Sequence, residues 1–594
     1  MPPEIDTRHL NELQAVLALL NDNKKNEARE ILERVLHENP DDHNALQLFG
    51  ALLIDGSDRD KGVAYLERSN ALKPGKPATL NNLGCAYFEL TRYADAAAQF
   101  EKVVALWPDR AASHFNLANS LFFVGRLQEA LSAYDKTLQL QPDHHGALCM
   151  RVSTATYMCE WNSEAALLSL ARAPDFTGQP FQLLQLTDDP AVQLNAARGH
   201  AATQALPAAA IFPTRAYEFR TKIRVAYVSG GFQNHPIGQA AVELFECHDR
   251  TAFETFGISL TADDGGALRK RLAGAFTHFI DASRLPDDEI ARQLRAAGID
   301  IAVDLDGYTH GKRTGIFSRR PAPIQVNYLG YPGTLGADCY DYILVDPFVA
   351  SPEQQPHYSE NLVHLPTIHL PSDRKRAITE PTPPRSAYGL PETGFVFCAF
   401  NSAQKIRPDV FAVWMRLLKS VPGSVLWLRT ANTWAMDNLN RAIAMHGIAP
   451  DRVIFSPRMP SSADYLAQYR AADVFLDTFP YSGFTTVNDA VWAGLPVVAL
   501  AGRAFVARGA GSVLTALEMP ELITYSIDDY ERLALDLSRN PAKLRAVREK
   551  LIDKRKHSAL FDTDALARQI ETAFKTMMDV WKSGEKPRPF AVPK

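Results

Sequence analysis

Four prolines in the first quarter of the chain recur at a fixed interval. Pro40, Pro74, Pro108 and Pro142 stand 34 residues apart, and each follows a helix-like segment and precedes a polar turn. A period of 34 residues is typical of the tetratricopeptide repeat, a pair of antiparallel helices, whereas a plain helical bundle needs no such period. We therefore predict a tetratricopeptide repeat array over residues 1–172, with four full units and a degenerate fifth.

Small side chains recur where the two helices of each repeat must approach closely. They are Gly50, Gly84 and Ala118 in the first helices and Ala28, Ala96 and Ala130 in the second. A stack of such helix pairs leaves a concave groove that suits an extended peptide. Asn82 and Asn116 occupy equivalent positions in their first helices, where their amides can hold the backbone of an acceptor protein. A solvated helix face is the alternative for these two residues.

Composition limits the partners and the compartment. The chain has 594 residues and a net charge of −5, which gives no overall attraction to nucleic acid or to an anionic membrane. The sequence shows neither a signal peptide nor a run of ~20 apolar residues that would cross a bilayer. Its six cysteines lie far apart without a CxxC pair, as expected in a reducing compartment. We expect a cytoplasmic protein that binds neither nucleic acid nor membrane.

After a connector over residues 173–220 that contains proline and alanine, short apolar runs alternate with helical segments. This alternation predicts a parallel α/β architecture. A charged, proline-rich stretch that begins DRKRAITEPTPP separates two such series. We therefore expect two doubly wound lobes, at residues 221–372 and 373–594, the second with a C-terminal helix. Nucleotides usually bind in the crevice outside the carboxyl ends of such strands.

The stretch DTFPYSGFTTVNDAVWAG, residues 477–494, predicts the end of a strand, a loop of small residues and the start of a helix. The first turn of a helix has unpaired N–H groups and the positive end of the dipole, which attract phosphate. Thr485 and Thr486 add hydroxyl donors there, and the carboxylate of Asp489 on the same face can accept hydrogen bonds from ribose. This pattern fits a nucleotide diphosphate. A threonine cap with a solvated aspartate is the alternative.

Residues 223 to about 575 resemble the catalytic region of the O-linked N-acetylglucosamine transferases, which include bacterial and plant SPINDLY-like proteins. The motifs that carry the resemblance are RVAYVSGGFQNHPIGQ, HFID, DLDGYTHGKR, RPAPIQVNYLGYPGTLGADCYDYILVD, VPGSVLWL, FSP and LDTFPYSGFTTVNDAVWAGLPV. The preceding repeats complete that family's layout. The resemblance implies two Rossmann-like lobes of the GT-B type and an inverting, metal-independent transfer of a sugar from a nucleotide diphosphate to Ser or Thr hydroxyls of proteins.

The resemblance also implies catalytic roles for three residues. Lys405 matches a lysine that neutralises the departing diphosphate and so stabilises the transition state. His235 matches a histidine near the sugar and the acceptor, where an imidazole acts as the base or only positions the substrate. His278 matches a second histidine on the acceptor side, for which a structural role is the alternative.

Further residues are expected to bind the nucleotide sugar, and the chain departs from the family at some of them. Gly333 and Thr334 belong to the LGYPGT motif. Ser402 stands where a glutamine often occurs, Tyr465 where a histidine stacks against the base, and Phe484 where a histidine precedes the two threonines. Because tyrosine stacks but offers different hydrogen bonds, we expect diphosphate binding and leave the base and the sugar open.

A metal site at the DLD sequence is an alternative to the nucleotide interpretation. Asp304 and Asp306 resemble the DxD pair by which another class of glycosyltransferases holds a divalent ion, and carboxylates suit such ions. The pair closes a buried strand, however, and the family that this chain resembles commonly has neutral amides there. We therefore expect no metal and no cofactor other than the substrate nucleotide sugar.

Two classes of function follow from the sequence. In the first, the protein is a protein O-glycosyltransferase, most simply with UDP-N-acetylglucosamine as donor and with GDP-fucose or UDP-glucose as alternatives. In the second, the repeats recruit clients and a drifted cleft senses a nucleotide or is inactive. The retained Lys405, Thr485, Thr486 and Asp489 favour the enzyme, and the lost histidine favours the scaffold more weakly. The sequence leaves the oligomeric state open, a homodimer included.

Overall fold

The computed structural model describes residues 7–22, 24–54, 58–161, 164–206, 212, 220–429 and 432–594. The chain divides into two compact units. One comprises residues 1–154 and 284–286, and the other comprises residues 155–283 and 287–594. The boundary at residue 154 precedes the expected end of the repeat array at residue 172.

The helices of the repeats lie in the first unit, and the last of them continues to Tyr157, past the boundary at residue 154. They are α1 Thr7–Asn21, α2 Lys25–Glu38, α3 His43–Ile54, α4 Arg59–Leu72, α5 Pro77–Glu89, α6 Tyr93–Leu106, α7 Ala111–Val124, α8 Leu127–Leu140 and α9 His145–Tyr157. Successive first helices, from α3 to α9, begin 34 residues apart, and so do successive second helices, from α2 to α8. The period of the prolines is therefore the period of the helix pairs, and the predicted repeats are confirmed.

Close packing of the helix pairs explains their small residues. A Cβ atom added to Gly84 would lie 2.7 Å from the ring of Phe100, and one added to Gly50 would lie 2.8 Å from the carbonyl oxygen of Gly62. The large side chains of Phe100 and Tyr134 are fully buried between neighbouring helices. Larger and smaller residues thus alternate so that each pair buries its apolar face against the next.

Three helices open the second unit: α10 Glu164–Leu170, α11 Pro180–Leu183 and α12 Pro190–Thr203. The indole nitrogen of Trp161, just before them, donates to the carbonyl oxygen of Ile406 at 3.0 Å. The carboxylate of Asp188 accepts hydrogen bonds from the backbone of Arg503 and Ala504. The connector is therefore attached to the part of the chain beyond residue 400. Its residues 207–211 and 213–219 lie outside the described residues.

A parallel sheet forms the core of the first lobe. Its elements are β1 Ile223–Ser229, α13 Pro236–Glu246, β2 Phe253–Ser259, α14 Ala267–Ala275, β3 His278–Asp281, α15 Asp287–Ala296, β4 Ile301–Asp304, α16 Gly315–Ser318, β5 Ile324–Asn327, β6 Tyr342–Val345 and β7 Asn361–His364. The strands pair in the order β7-β6-β5-β4-β1-β2-β3. Every residue of β4, β5 and β6 is buried, since helices cover both faces. The strand order reverses between β1 and β4, where Rossmann-like sheets bind their ligands.

The second lobe repeats this arrangement with six parallel strands. Its elements are β8 Val396–Ala399, α17 Pro408–Ser420, β9 Val425–Arg429, α18 Thr433–Met445, β10 Val453–Ser456, α19 Ser462–Gln468, β11 Val474–Leu476, α20 Thr485–Ala493, β12 Val497–Leu500, α21 Gly509–Ala516, β13 Ile523–Thr524, α22 Ile527–Arg539 and α23 Pro541–His557. The order is β10-β9-β8-β11-β12-β13, which reverses between β8 and β11. The predicted fold, helical repeats followed by two Rossmann-like lobes, is confirmed.

The chain returns to the first lobe after α23. Helix α24, Thr563–Lys582, buries Ile570, Phe574 and Met577 in the apolar core of the first sheet. Strand β14, Phe590–Ala591, pairs in parallel with β7 and brings this sheet to eight strands. This differs from the expected placement of a C-terminal helix with the second lobe. The apolar pattern of an amphipathic helix predicts that one face is buried, but it does not predict which sheet that face packs against.

Two further observations bear on the environment of the chain. No helix among the described residues is long and apolar enough to span a membrane. All six cysteines are described, and each is a free thiol.

Candidate active site

A cleft of about 1020 Å³ opens between the two lobes, at the carboxyl ends of their strands. Asn234 and Gln239 of the first lobe line one wall. Arg376, from the segment that links the lobes, lines another, and Tyr465 and Thr486 of the second lobe complete it. The cleft therefore lies where the strand order of a doubly wound protein predicts a ligand.

Helix α20 points its first turn into this cleft. Phe484 precedes it, and none of the described side chains caps its first N–H groups. Thr485 and Thr486 both line the cleft. The ring of Phe484, at the position of the family's histidine, turns away to pack edge-on against Phe505 with ring centroids 6.0 Å apart. The helix therefore offers free N–H groups and the Thr485 hydroxyl to a phosphate, without an imidazole.

A buried polar network shapes the loop before α20. Asp477, at the end of β11, accepts hydrogen bonds from Ser482 Oγ at 2.6 Å and from the backbone N–H of Gly483 at 2.8 Å. The amide of Asn401, after β8, donates to Asp477 at 2.9 Å and accepts from Thr486 Oγ1 at 2.5 Å. Sequence analysis missed Asn401, Asp477 and Ser482, although the first two directly follow the strands between which the strand order reverses.

Lys405 lies at the end of a short helical turn that follows β8. Its Nζ donates to the carbonyl oxygen of Ser482 at 3.1 Å and lies 3.9 Å from the centroid of the Tyr481 ring. Burial lowers the pKa of Lys405 to about 8, against the opposing effect of Asp477. The carbonyl oxygen of Ser402 accepts from the Lys405 backbone and so closes the turn. The ammonium is thus fixed beside the loop that leads to α20.

Asp489 lines the cleft one turn beyond the threonines. Its Oδ1 accepts a hydrogen bond from Arg376 Nη1 at 2.5 Å, so the carboxylate is ion-paired rather than simply solvated. Burial raises the pKa of Asp489, and Arg376 opposes this effect. Tyr465, on the facing helix α19, also lines the cleft, and its hydroxyl lies 2.7 Å from that of Tyr469.

His235 caps the N-terminus of α13. Its Nδ1 accepts a hydrogen bond from the backbone N–H of Ile237 at 3.3 Å. Burial, and then the charge of His310, lower the pKa of His235. Because the cap occupies the lone pair of Nδ1, the neutral ring carries its proton on Nε2 and presents a donor. This geometry favours positioning of a substrate over proton removal.

The structure does not bring His278 to the cleft. It is the first residue of the edge strand β3, whereas ligands of such sheets bind at the carboxyl ends. Its Nε2 lies 2.8 Å from Glu254 Oε1, and its ring stacks on Phe256 with centroids 4.4 Å apart. These contacts favour the structural role, which was the alternative for this imidazole, over the catalytic one.

The LGYPGT loop is held by a buried carboxylate. Thr334 Oγ1 donates to Glu360 Oε2 at 2.5 Å, and the backbone N–H of Leu335 donates to the same side chain at 2.8 Å. The carbonyl oxygen of Gly333 accepts from Asn327 at 3.1 Å. The Thr334 hydroxyl, which was expected to contact the nucleotide sugar, therefore stabilises the conformation of the loop instead.

The carboxylates of both aspartates in the DLD sequence accept hydrogen bonds from other groups of the protein. Asp304 accepts from the backbone N–H of Asp306 at 2.9 Å and from Tyr340 at 2.5 Å, and Asp306 accepts from Ser229 and Gly230, each at 2.6 Å. Burial and the neighbouring Asp304 raise the pKa of Asp306 to about 7. The described residues contain no cluster of metal-ligating side chains. This pair does not fit a divalent ion, which requires open, ionised oxygens.

The predicted peptide-binding amides lie in the first unit. Asn82 is on α5 and Asn116 on α7, at the same position of successive first helices, and both are half-buried. The repeat geometry therefore places the two amides in line along the array.

Two Rossmann-like sheets, with an open helix terminus at the reversal point of the second, define a two-lobed protein of the GT-B type. The chain belongs to glycosyltransferase family 41, whose family model matches residues 203–381 and 378–570. A tetratricopeptide repeat model matches residues 81–145.

Several known proteins are similar to this chain. The probable UDP-N-acetylglucosamine--peptide N-acetylglucosaminyltransferase SEC of Arabidopsis thaliana is 35% identical over 431 residues, which cover 70% of this chain and 44% of that protein. A probable transferase named SPINDLY from Hordeum vulgare is 30% identical over 61% of this chain and 39% of its own length. A solved structure of a lysine-to-methionine mutant of the Thermobaculum terrenum O-GlcNAc transferase matches with a TM-score of 0.69 and 28% identity, over 91% of this chain and 98% of that one. The chain thus spans less than half the length of the curated relatives it matches.

Proposed function

We propose that the protein is a protein O-glycosyltransferase that transfers N-acetylglucosamine from UDP-N-acetylglucosamine to Ser or Thr hydroxyls with inversion. The observation that carries the proposal is the placement of Lys405 beside the loop that leads to the open terminus of α20, whose threonines line a cleft between two Rossmann-like lobes. Membership of family 41 and the names of the relatives support the same chemistry and donor.

In this proposal, each part of the cleft has one task. The N–H groups of α20 and the hydroxyl of Thr485 hold the diphosphate, while the hydroxyl of Thr486 donates to Asn401. The acceptor hydroxyl attacks the anomeric carbon from the face opposite the diphosphate and releases its proton to water. A C–O bond forms as the bond to the leaving oxygen breaks and its electron pair goes to the nucleotide. Lys405 stabilises the charge that develops on that nucleotide. His235, through Nε2–H, orients the sugar or the acceptor. The proposed mechanism uses no metal at Asp304 and Asp306, whose carboxylates are already bonded within the protein.

The proposed partners follow from the two units. Acceptor proteins bind along the repeat groove through Asn82 and Asn116, and the nucleotide sugar binds between the lobes. The cytoplasm is the proposed compartment, where nucleotide sugars and reduced thiols occur together.

A panel of nucleotide sugars tests the proposal. Purified protein is incubated with UDP-N-acetylglucosamine, UDP-glucose or GDP-fucose and an acceptor protein, and both released nucleotide and protein-bound sugar are measured, with and without EDTA. We expect release and transfer to be greatest with UDP-N-acetylglucosamine and unchanged by EDTA. Preference for another donor would reassign the sugar, and binding without transfer from any donor would favour the nucleotide-sensing scaffold. Dependence on a divalent ion would contradict the metal-free mechanism.

A further inference from the structure

The cation that pairs with Asp489 belongs to a different part of the chain. Arg376 lies in the segment between the lobes, where its Nε donates to the carbonyl oxygen of Asp373 at 3.0 Å and its Nη2 to Ser372 Oγ at 3.3 Å. Its Cζ lies 5.3 Å from the centroid of the Trp492 ring. The guanidinium is therefore fixed by its own segment and by an aromatic face, and it presents Nη1 to the carboxylate.

Only one oxygen of Asp489 is used by this contact. Oδ1 accepts from Arg376 Nη1 at 2.5 Å, and the side chains of Arg376 and Asp489 are 15% and 16% exposed. Among the described residues, no donor is bonded to Oδ2, although the residue lines the cleft. The second oxygen is therefore free to accept a hydrogen bond from a ligand.

The surroundings of Asp489 make its charge depend on Arg376. Burial raises the pKa of Asp489, while Arg376 and then Arg429 lower it. Tyr465 and Tyr469 also face the carboxylate from α19 and the turn after it, and burial raises the pKa of both hydroxyls, so they stay neutral. Without the charge of Arg376, the carboxyl would take up a proton at a higher pH and lose acceptor strength.

Position along α20 indicates which part of a nucleotide this oxygen meets. Asp489 stands three and four residues beyond Thr486 and Thr485, and such residues are neighbours on one face of a helix, roughly 5–6 Å apart. In a nucleoside diphosphate held at the helix terminus, the ribose directly follows the phosphates. Its 2′- and 3′-hydroxyls are two adjacent donors, which suit an ionised carboxylate.

We propose that Arg376 is a positioning residue for donor binding: it holds Asp489 ionised and oriented so that Oδ2 binds the vicinal diol of the nucleotide ribose. This inference rests on the proposed function, because it requires a nucleoside diphosphate in the cleft. Arg376 acts through Asp489 and makes no contact with the nucleotide itself.

The test compares nucleotides with and without the diol. Binding of UDP and of 2′,3′-dideoxy-UDP to the full chain is measured by calorimetry at pH 6, 7 and 8, with GDP and its dideoxy analogue in parallel. The wild type is expected to prefer the ribonucleotide by roughly ten-fold or more at each pH, the magnitude of a hydrogen bond to a charged group. In Arg376→Gln, which keeps a donor but removes the charge, the preference should fall to about three-fold or less at pH 6 and recover in part by pH 8, because a raised carboxyl pKa leaves more anion as pH rises. Arg376→Lys, which retains a charge, should keep more of the preference.

Two controls separate this role from others. Asp489→Asn should lose the preference at every pH, and Arg458→Gln, a change of an exposed arginine on the same cleft, should leave the ratio and its pH profile unaltered even if overall affinity falls. An equal loss of affinity for both nucleotides in Arg376→Gln, without pH dependence, would make Arg376 a phosphate contact and overturn the proposal. Should that variant not fold, an unchanged preference in Asp489→Asn overturns it equally. A wild type that binds no nucleoside diphosphate would instead refute the proposed function, and this inference with it.

Discussion

Among single residues, Lys405 has the clearest electrostatic consequence. Its described contacts are a carbonyl oxygen at 3.1 Å and an aromatic face at 3.9 Å, while the carboxylate of Asp477 is bonded to Ser482 and Gly483. Because burial disfavours a charge that lacks a close counterion, the ammonium gains more from an incoming diphosphate than an exposed lysine would.

Replacement of this lysine should separate catalysis from binding. Lys405→Ala is expected to lower turnover by roughly 10²-fold or more, the effect of losing one electrostatic stabiliser of the transition state. The thermal unfolding curve and binding of acceptor protein should remain close to wild type. Initial rates of sugar transfer, measured at saturating donor and acceptor, provide the test. Wild-type turnover in Lys405→Ala would remove this residue from the mechanism.

Because of its lowered pKa, Lys405 should also affect how the rate of sugar transfer depends on pH. The ammonium is charged below its pKa of about 8 and neutral above it, so kcat/KM for the donor should fall as pH rises through that value. The profile of kcat should extend to higher pH, because a bound diphosphate raises the pKa of the lysine. Lys405→Arg, whose side chain stays charged, should lack the alkaline fall even if its rate is lower. An unchanged alkaline fall in Lys405→Arg would assign it to another group.

Some residues of the site are positioned by the local sequence, and others by contacts with residues far away in the chain. The placement of Thr485 and Thr486 at the start of α20 was predictable, because a strand, a loop of small residues and a helix start are encoded within a short stretch. The pairing of Asp489 with Arg376 was not, since their contact joins residues far apart in sequence. The hydrogen bond between Thr334 and Glu360, which directly precedes β7, was not predictable for the same reason. The position of His278 was not predictable either, because its motif does not indicate at which end of a strand the residue lies.

At the scale of secondary-structure elements, the repeat helices follow local rules. Their starts keep the 34-residue interval because each helix pair is one structural unit whose length is set by its own turns and packing residues. Helix α24 follows no such rule. Its apolar face fits a sheet, and only the three-dimensional structure shows that this is the sheet of the first lobe.

A glycine in the array provides a test of the packing between helices. Gly84→Ala would place a methyl group 2.7 Å from the ring of Phe100, and we expect a local loss of about 1–3 kcal/mol from overpacking. Amide hydrogen exchange in α5 and α6 is the appropriate measurement, because repeat arrays do not unfold in a single step. Gly146→Ala is the matched control, since its nearest neighbouring atom is 3.4 Å away and alanine favours a helix. Equal protection in both variants would contradict the packing described for Gly84.

At the scale of the whole molecule, the chain divides into two compact units, and we propose that one recruits acceptor proteins and the other performs the chemistry. If acceptor proteins bind along the repeats, changes in the groove should affect transfer to proteins without affecting the donor. This expectation separates a recruiting array from one that serves localisation or oligomerisation.

The double variant Asn82→Ala with Asn116→Ala tests that separation. Each hydrogen bond to a peptide is worth about 1 kcal/mol, so kcat/KM for a full-length acceptor should fall roughly 10- to 30-fold. Hydrolysis of the donor in the absence of acceptor should stay at the wild-type rate. Gln128→Ala, which removes an exposed amide from a second helix, is the control. Undiminished transfer by the double variant would exclude these amides from recruitment.

The return of α24 and β14 to the first lobe has a consequence for biosynthesis. Strand β1 leaves the ribosome long before β14, and all of the second lobe is translated between them. Until α24 emerges, the apolar side chains that it covers, among them Phe253 and Val326, remain open on one face of the nascent sheet. Chaperone binding to ribosome-bound chains should therefore persist after the first lobe's own strands have been made and decline once α24 has emerged. Of the two lobes, the first is the one whose synthesis begins earlier and whose fold is completed later. Completion of its fold therefore requires that both lobes have been synthesised.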